Sequence, residues 1–403
     1  MSLTVKWDGG VSIECGDVQL IFDPQGNNVT YPKAFITHAH FDHAKAFYIP
    51  YLTKYSSKET NDLLTIYGGK IANWKPVSCG KGVTFDDVEI VPHNSGHVLG
   101  SYQYEVSTPW GNVVYTGDIN FSEARTVKVA EIVPCDILIL EATFGSPNFI
   151  FPPEEQVATE ILEWAVDSLK RGKIPAFQTD PLGNAQEIIR IFNELTRIPV
   201  MTHSRVTGIN RVYEVYGHKF SYLDANSEEA AEAASSGECI FITPKGLNLS
   251  KYPEFDSALV SGWALWAKRK AFALSDHADF PHLMDFVREC KPKTVLTCHG
   301  GRFNETLARY IEKRLGIEAR PLDMISTTLV AKYDEVRIRD CGREILKIAK
   351  VPGFSYSKKM IMREVMKFGF SRLEINSALK MLVEQKFLQV LREEESFQSK
   401  LTS

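Results

Sequence analysis

The sequence predicts an α/β protein in which a mostly β unit is split by an α/β insertion, and three observations carry that prediction. Over the first 145 residues the apolar residues come in short runs or alternate with polar ones, the period of strands, with turn residues between most runs. From about Pro152 to Lys270 strand-like and helical stretches take turns, the pattern of a mostly parallel sheet. From Ala271 the first texture resumes, and with it side chains of the same metal-binding type. A length of 403 residues and a mass of 45.4 kDa suit two or three domains.

In order along the chain, strands are expected at Val11 to Cys15, Gln19 to Phe22, Ala34 to Thr37, Val88 to Pro92, Tyr102 to Val106, Asn112 to Thr116 and Asp136 to Leu140. Residues 1–150 form the first part of the core. Pro153 with Glu154 and Glu155 opens a helix whose apolar face is Val157, Ile161, Trp164, Ala165 and Leu169, and Gly172 closes it. Strands at Ile174 to Thr179, Ile198 to His203, Cys239 to Thr243 and Ala258 to Ser261 then alternate with helices at Gly183 to Leu195 and Glu228 to Ala234. Residues 151–270 are therefore expected as the insertion.

The core returns over 271–343, with a buried-type strand at Lys293 to Thr297 and a helix at Asn304 to Leu315. In the tail, 344–403, a helix near Lys358 to Phe368 precedes a capping box, Ser371-Arg372-Leu373-Glu374. That box opens a helix with Ile375, Leu379, Leu382 and Val383 on one face, and Phe387 to Leu391 follows as a strand. Helix, turn, helix and hairpin suggest a winged-helix-like module, and a tail that docks on the body or dimerises fits as well.

Composition excludes several classes. Hydrophobic residues at 44% and charged ones at 24% are those of a folded soluble chain. No run approaches the roughly eighteen apolar residues of a membrane span, and Met1 to Gly9 is polar where a signal peptide needs an apolar centre, so no membrane is expected and the cytoplasm is the expected location. The seven cysteines are scattered without a Cys-x-x-Cys pair, which speaks against a disulfide framework or a thiolate zinc knuckle. A net charge of −4 hides an asymmetry: from Leu346 onward eleven Lys/Arg face six Glu, a local +5, leaving −9 in the first 345 residues. For a polyanionic substrate, attraction would then lie in the tail and in metal ions.

Residues Thr37 to His43 read Thr-His-Ala-His-Phe-Asp-His, three imidazoles and one carboxylate in seven residues. Neutral imidazole and carboxylate suit zinc, iron or manganese, and the His-x-His-x-Asp-His spacing lets alternate residues face one pocket while the next pair faces a neighbouring one. Each further candidate follows an apolar run, where a strand end on a rigid sheet can aim a ligand.

With Asp23 in Ile-Phe-Asp-Pro, His97 in Ser-Gly-His-Val-Leu-Gly-Ser and Asp118 in Tyr-Thr-Gly-Asp-Ile, the heptad resembles the metallo-β-lactamase superfamily. The resemblance implies an αββα sandwich in which His38, His40 and His97 hold one metal, Asp42 and His43 a second, and Asp118 bridges them. Asp23 would fix a ligating imidazole from the outer shell. Leu140-Glu141-Ala142-Thr143-Phe144-Gly145, Ser275-Asp276-His277-Ala278-Asp279 and Cys298-His299-Gly300-Gly301 resemble the three later motifs of the β-CASP branch, whose members are nucleases, and the insertion sits where that branch carries its extra domain. By that resemblance Glu141 orients His277, His277 is the general acid, and His299 completes the second metal's shell. A mapping in which His277 is a ligand and His299 the outer residue is equally simple.

The resemblance implies two divalent cations, zinc first with manganese fitting the same ligands, and a single-stranded DNA or RNA substrate. A histidine at the third late motif resembles the RNA-processing members, whereas Ser-Asp-His-Ala-Asp, Gly183 to Glu187 and Ser261-Gly262-Trp263 resemble prokaryotic ligase-associated DNA exonucleases. The expected activity is accordingly a DNA exonuclease, with an RNA-processing nuclease as the alternative. A small-molecule metallohydrolase and an inactive nucleic-acid-binding subunit are readings of other classes. A homodimer or repair and processing partners are compatible with the chain. Gly183 and Asn184 at a helix start could offer N–H groups to a phosphate. Trp263, Trp266, Lys245, Lys268, Arg269 and Lys270 could line a strand-threading wall, although the tryptophans also fit a core and the Lys-Arg-Lys run a solvated face.

Overall fold

The computed structural model describes residues 3–66, 68, 71–322, 327–329, 335–349, 355–370, 372–391 and 396–399; Ser371 of the capping box lies outside them. Two seven-stranded sheets form the centre. In the first, strands Leu3–Trp7, Val11–Cys15 and Val18–Phe22 run antiparallel, Lys33–Phe35, Thr53–Ser56 and Trp74–Pro76 continue in parallel, and Thr327–Leu329 closes the other edge. In the second, Val83–Phe85, Val88–Asn94, Tyr102–Thr108 and Gly111–Tyr115 are antiparallel. Ile137–Glu141, Thr294–Cys298 and Glu318–Pro321 then add in parallel.

Strand alternation decides which sides meet. Leu3, Val5, Ile13, Leu20 and Phe22 from one sheet pack against Tyr104, Val106, Val113 and Ile139 from the other. Completely burying each such side chain stabilises by about 1.5–3 kcal/mol before chain entropy is counted. Helices Phe280–Cys290 and Arg302–Leu315 cover the outer face of the second sheet through Leu283, Phe286, Leu307 and Ile311. On the outer side of the first sheet, Ala46, Ile49 and Leu52 pack on Ile21 and Ala34, and the helix Lys58–Thr65 sets Leu63 and Leu64 against Ile36 and Phe47 and against Ile209 and Tyr213 of the insertion. The result is the αββα sandwich.

Between Ile137–Glu141 and Thr294–Cys298 the chain builds a separate six-stranded sheet, parallel throughout, in the order Leu223–Asp224, Val200–Thr202, Ile240–Pro244, Ile174–Thr179, Phe255–Val260, Ala271–Phe272. Helices Glu154–Lys170 and Asn184–Leu195 bury Val157, Ile161, Ile188 and Phe192 on it. At the C-terminus the helices Glu335–Ile348, Lys358–Met366 and Arg372–Glu384 share a core of Cys341, Ile345, Ile361, Ile375 and Leu379 beside a three-stranded sheet ordered Ser355–Ser357, Ser396–Ser399, Leu388–Leu391. The first of these helices adds Ile338 to that core. Among the described residues no helix is long and apolar enough to cross a membrane.

Candidate metal centre and its cavity

Parallel neighbours end on the same edge, which is why distant motifs meet. Gly111–Tyr115, Ile137–Glu141 and Thr294–Cys298 lie side by side in parallel register, so Asp118, Glu141 and His299 leave one edge of the second sheet. From the first sheet, Lys33–Phe35 leads into His38 and His40, and the short helix Phe41–Ala44 carries Asp42 and His43. His97 follows Val88–Asn94. Gly117, at φ +54°, lets the two loops touch, because a Cβ there would lie 2.6 Å from Thr37 Cγ2.

Outer partners set the direction of each ring. His97 Nδ1 lies 2.8 Å from the Asp276 carbonyl, which can only accept, so Nδ1 carries the proton and Nε2 turns a lone pair inward. His43 Nδ1 donates in the same way to Asp23 Oδ2 at 2.8 Å. The Thr37 hydroxyl donates to Asp23 Oδ2 at 2.6 Å and so accepts from His38 Nδ1 at 2.9 Å. Tyr115 donates to the same oxygen at 2.9 Å and accepts from His299 Nε2 at 2.8 Å. Asp23, fully buried and itself held by the Thr37 N–H at 2.8 Å, therefore orients three imidazoles where the sequence suggested one. Thr37 and Tyr115 were not among the expected site residues.

The inward atoms form a donor set. One atom each from His38, His40, His97 and Asp118 lie within 4.8 Å of one another. His38 Nε2 is buried with no hydrogen-bond partner among the described residues. His40 Nε2 faces the Leu182 carbonyl at 3.4 Å, so its Nδ1 presents a lone pair to that of His97 Nε2 across 2.9 Å. Two opposed lone pairs and an orphaned nitrogen, all out of water, are costly alone and are satisfied by a cation. The residues fit a divalent transition metal.

Asp118 spans two directions. Its Oδ2 lies 3.4 Å from His38 Nε2 and 3.7 Å from His97 Nε2, while Oδ1 lies 3.3 Å from His43 Nε2. On that second side Asp42 Oδ2 is 3.8 Å from His43 Nε2, and the His299 ring stands 4.7 Å from that of His43. Asp42 is mostly exposed, with 70% of its side chain accessible, and His43, Asp42 and His299 draw together less tightly than the first set. His277 Nδ1 is 2.9 Å from Glu141 Oε1, and its Nε2 is 3.9 Å from Asp118 Oδ2. Glu141 is fixed by the N–H groups of Ile119 at 2.8 Å and Thr143 at 3.2 Å.

Electrostatics sorts these groups. Burial and then the neighbouring imidazoles hold His38 and His97 well below the ordinary histidine value, which keeps them neutral, the ligand form. Burial and His43 lower His299 as well. Burial opposes ionisation of Asp118, but His43 and His277 outweigh it and hold the carboxyl well below its usual range. For His277 burial opposes the charged ring, and Glu141 and Asp118 outweigh burial, raising it to about 10.

These residues open into a cavity of about 760 Å³ lined also by Thr143, Phe144, Asn184, Lys245 and Trp263. Trp263 is half-exposed and packs on Phe144, 5.0 Å between ring centres, and Phe144 in turn meets the His277 ring at 5.8 Å. Three expectations need correction. Gly183 offers no phosphate cradle, because its own N–H donates to Gln186 Oε1 at 2.8 Å and the N–H groups of Ala185, Gln186 and Glu187 pair with carbonyls of Asp180 and Gly183. Lys268 and Arg269 do not line the cavity: both are exposed, and Arg269 is tied to Gln178 Oε1 at 2.6 Å. Asn184, by contrast, does reach the cavity wall.

Residues 266–321 match the RMMBL family, described as a Zn-dependent metallo-hydrolase RNA specificity domain. The chain is 29% identical over 300 residues to a probable DNA ligase of Opitutus terrae, covering 71% of this chain and 28% of that protein. It is 26% identical to an RNase J-like protein of Methanocaldococcus jannaschii, covering 53% and 55% of the two chains, and 24% identical to RNase aCSPSF2 of Saccharolobus solfataricus, covering 77% and 78%. The chain thus spans little more than a quarter of the first relative and about half of the second. A crystal structure of a protein of unknown function from Enterococcus faecalis V583 shares the fold with a TM-score of 0.57 at 15% identity, over 82% of this chain and all of that one. The matched segment holds His277 and His299, two of the rings gathered around Asp118, and it and these relatives agree with the resemblance to the β-CASP nucleases of the metallo-β-lactamase superfamily.

Proposed function

We propose that this protein is a metal-dependent phosphodiesterase that hydrolyses single-stranded nucleic acid, with DNA exonuclease activity as the first reading. The observation that carries it is the split of Asp118, whose two oxygens face separate imidazole groups beside a Glu141-held histidine in one open cavity. His38, His40 and His97 would hold one cation and Asp42, His43 and His299 a second, with Asp118 between them. Zinc and manganese both suit these donors. Bound there, the cations supply Lewis-acid charge that acidifies water and neutralises a phosphate.

The chain's own residues do the rest. Asp23, through Thr37 and Tyr115, keeps the lone pairs of three rings aimed inward. His277 serves as general acid: Glu141 takes its Nδ1–H, so the proton on Nε2 faces the cavity and can pass to the leaving alkoxide. The insertion forms the facing wall and limits entry to a flexible strand. The basic C-terminal unit, with its winged-helix order of elements, is the part suited to hold nucleic acid outside the cavity, and a dimer contact there is compatible. A cytoplasmic location accords with such a substrate.

RNA is a second reading, favoured by the match to an RNA specificity domain and by an RNase J-like protein and an RNase among the relatives. Matched DNA and RNA single strands carrying 5′ or 3′ labels, incubated with Zn²⁺, Mn²⁺ or Mg²⁺ and with a chelator, test both. Metal-dependent shortening of one strand type from one end is expected. Intact strands of both types with metal bound would overturn the proposal.

A further inference from the structure

In the insertion, every strand is parallel, so loops that follow neighbouring strands gather on one edge. Ile174–Thr179 stands between Ile240–Pro244 and Phe255–Val260; the chain runs from it to Val200–Thr202 on one side and from Phe255–Val260 to Ala271–Phe272 on the other, the reversal where open parallel sheets leave a crevice for ligands. The residues just past these three strands are Asp180, Lys245 and Ser261, and all three line the cavity that holds the metal centre.

We propose that this crevice is a nucleotide subsite for a single strand, with Lys245 on a backbone phosphate and Trp263 under the adjoining base. The proposal rests on the nuclease reading above and adds which residues hold the strand next to the bond cleaved. Four observations converge on it. Lys245 is a half-exposed ammonium whose neighbours are the Asp180 carboxylate and, at 3.5 Å, the Ser261 hydroxyl. Trp263, two residues after Ser261, packs against Phe144 and is 40% exposed, as a stacking platform must be. Trp263 is joined to His277 through the Phe144 ring, which meets each of them, so the platform lies in the same part of the cavity as the proposed acid. Asn184, 2% exposed and lining the same cavity, keeps its side-chain Oδ1 without a hydrogen-bond partner among the described residues, an unmet polar group at the place where a base or sugar would lie.

Asp180 sets the sign of a sharper test. Its carboxylate pairs with Lys245 in an accessible pair of a kind that adds little stability, and it would repel the arriving phosphate, so Lys245 must exchange one anion for the other.

Equilibrium binding of the metal-loaded full chain to fluorescein-labelled, phosphorothioate-linked single strands, in DNA and RNA form, reads this without needing cleavage. Lys245→Ala is expected to lower the slope of log affinity against log salt by about 0.7, the share of one phosphate on a single strand. Lys245→Arg should restore it. Trp263→Ala is expected to weaken binding roughly 5- to 150-fold, with Trp263→Phe losing much less. Asp180→Asn should tighten binding. An unchanged salt slope in Lys245→Ala, or weaker binding in Asp180→Asn, would overturn the subsite by showing the pair to be a structural strut. Tight binding with these effects but no cleavage of normal strands would instead count against the nuclease reading alone. Whichever of the DNA and RNA strands binds more tightly identifies the sugar the subsite takes.

Discussion

Replacing Asp23 by Asn should loosen the whole metal centre while leaving the backbone alone. Asp23 sits at φ +46°, a left-handed conformation that Asn adopts as readily as Asp, so any effect comes from the lost charge and acceptor. The best placement of the amide keeps its oxygen toward Thr37 Oγ1, His43 Nδ1 and Tyr115 Oη. That turns the amide nitrogen against the Thr37 N–H, now 2.8 Å from Oδ1. One buried donor left unpaired costs about 1–3 kcal/mol, and three bonds that lose charge assistance give up about 1 kcal/mol each, so about 4–6 kcal/mol of stability is at stake. With the His38, His43 and His299 rings less firmly aimed, metal affinity should fall roughly 10- to 100-fold. Competition with a chromophoric chelator measures the affinity, and denaturant unfolding of the metal-free protein measures the stability. Tyr115→Phe removes the His299 branch alone and should weaken one metal more than the other. Metal affinity within about twofold of wild type in Asp23→Asn, where roughly 10- to 100-fold is expected, would refute the idea that the relay aims the rings.

His277→Asn should lower turnover about 10²- to 10⁴-fold with the full metal complement retained; loss of one metal by elemental analysis would make His277 a ligand instead. Gly183→Ala places a Cβ 2.4 Å from Asp276 Oδ2 and 2.9 Å from Val98 Cγ1 at φ +90°, so a loss of at least about 1–3 kcal/mol is expected. A change within about 0.5 kcal/mol on denaturation would contradict that geometry. Lys54 is fully buried, and burial brings its amine down from 10.5 to about 8. Between those values the unfolded chain holds the proton and the folded chain does not, so this residue's contribution to stability rises with pH across that window. The wild-type stability minus that of Lys54→Met should therefore climb from pH 8 to 10.5, and a flat difference would remove Lys54 as its source.

The parts of the site written in rare chemistry were legible in the sequence, and the parts written in common residues were not. His38 to His43, His97, Asp118, Glu141, His277 and His299 stand out because no strand or turn calls for such side chains. Tyr115, at the end of the apolar run Asn112-Val113-Val114-Tyr115, looks like any core residue, and only the fold brings its hydroxyl between Asp23 and His299. The strand Thr53–Ser56 went unread because Lys54 makes it look polar, although Lys54 and Tyr55 are buried. Leu3–Trp7 does alternate, with Leu3 and Val5 inward, and was findable. Gly183 misled because a glycine before a helix looks the same whether its N–H groups are open or, as here, closed by Gln186.

Chemistry and recognition are also supported by different cores. The donors His38, His40, His43 and His97 are carried by the two seven-stranded sheets and their loops, whereas Asn184, Lys245 and Trp263 hang from the insertion, whose main apolar core of Ile188, Phe192, Ile240 and Val260 is distinct. The insertion's Leu182, Ile209 and Tyr213 nonetheless pack with Ile36, Ala39 and Val98 beside the donors. Substitutions at distant sites without shared partners combine additively, so Lys245 and Trp263 variants should shift strand affinity without shifting metal affinity, and Asp23 variants the reverse. Direct links between the two regions do exist: the Leu182 carbonyl faces His40 Nε2 at 3.4 Å, the Asp276 carbonyl fixes His97 Nδ1, and the Asp276 carboxylate lies against the backbone of Gly183 at the insertion's helix start. Gly183→Ala should consequently be an insertion change that also weakens metal binding, because the displaced Asp276 would carry the His97 ring with it.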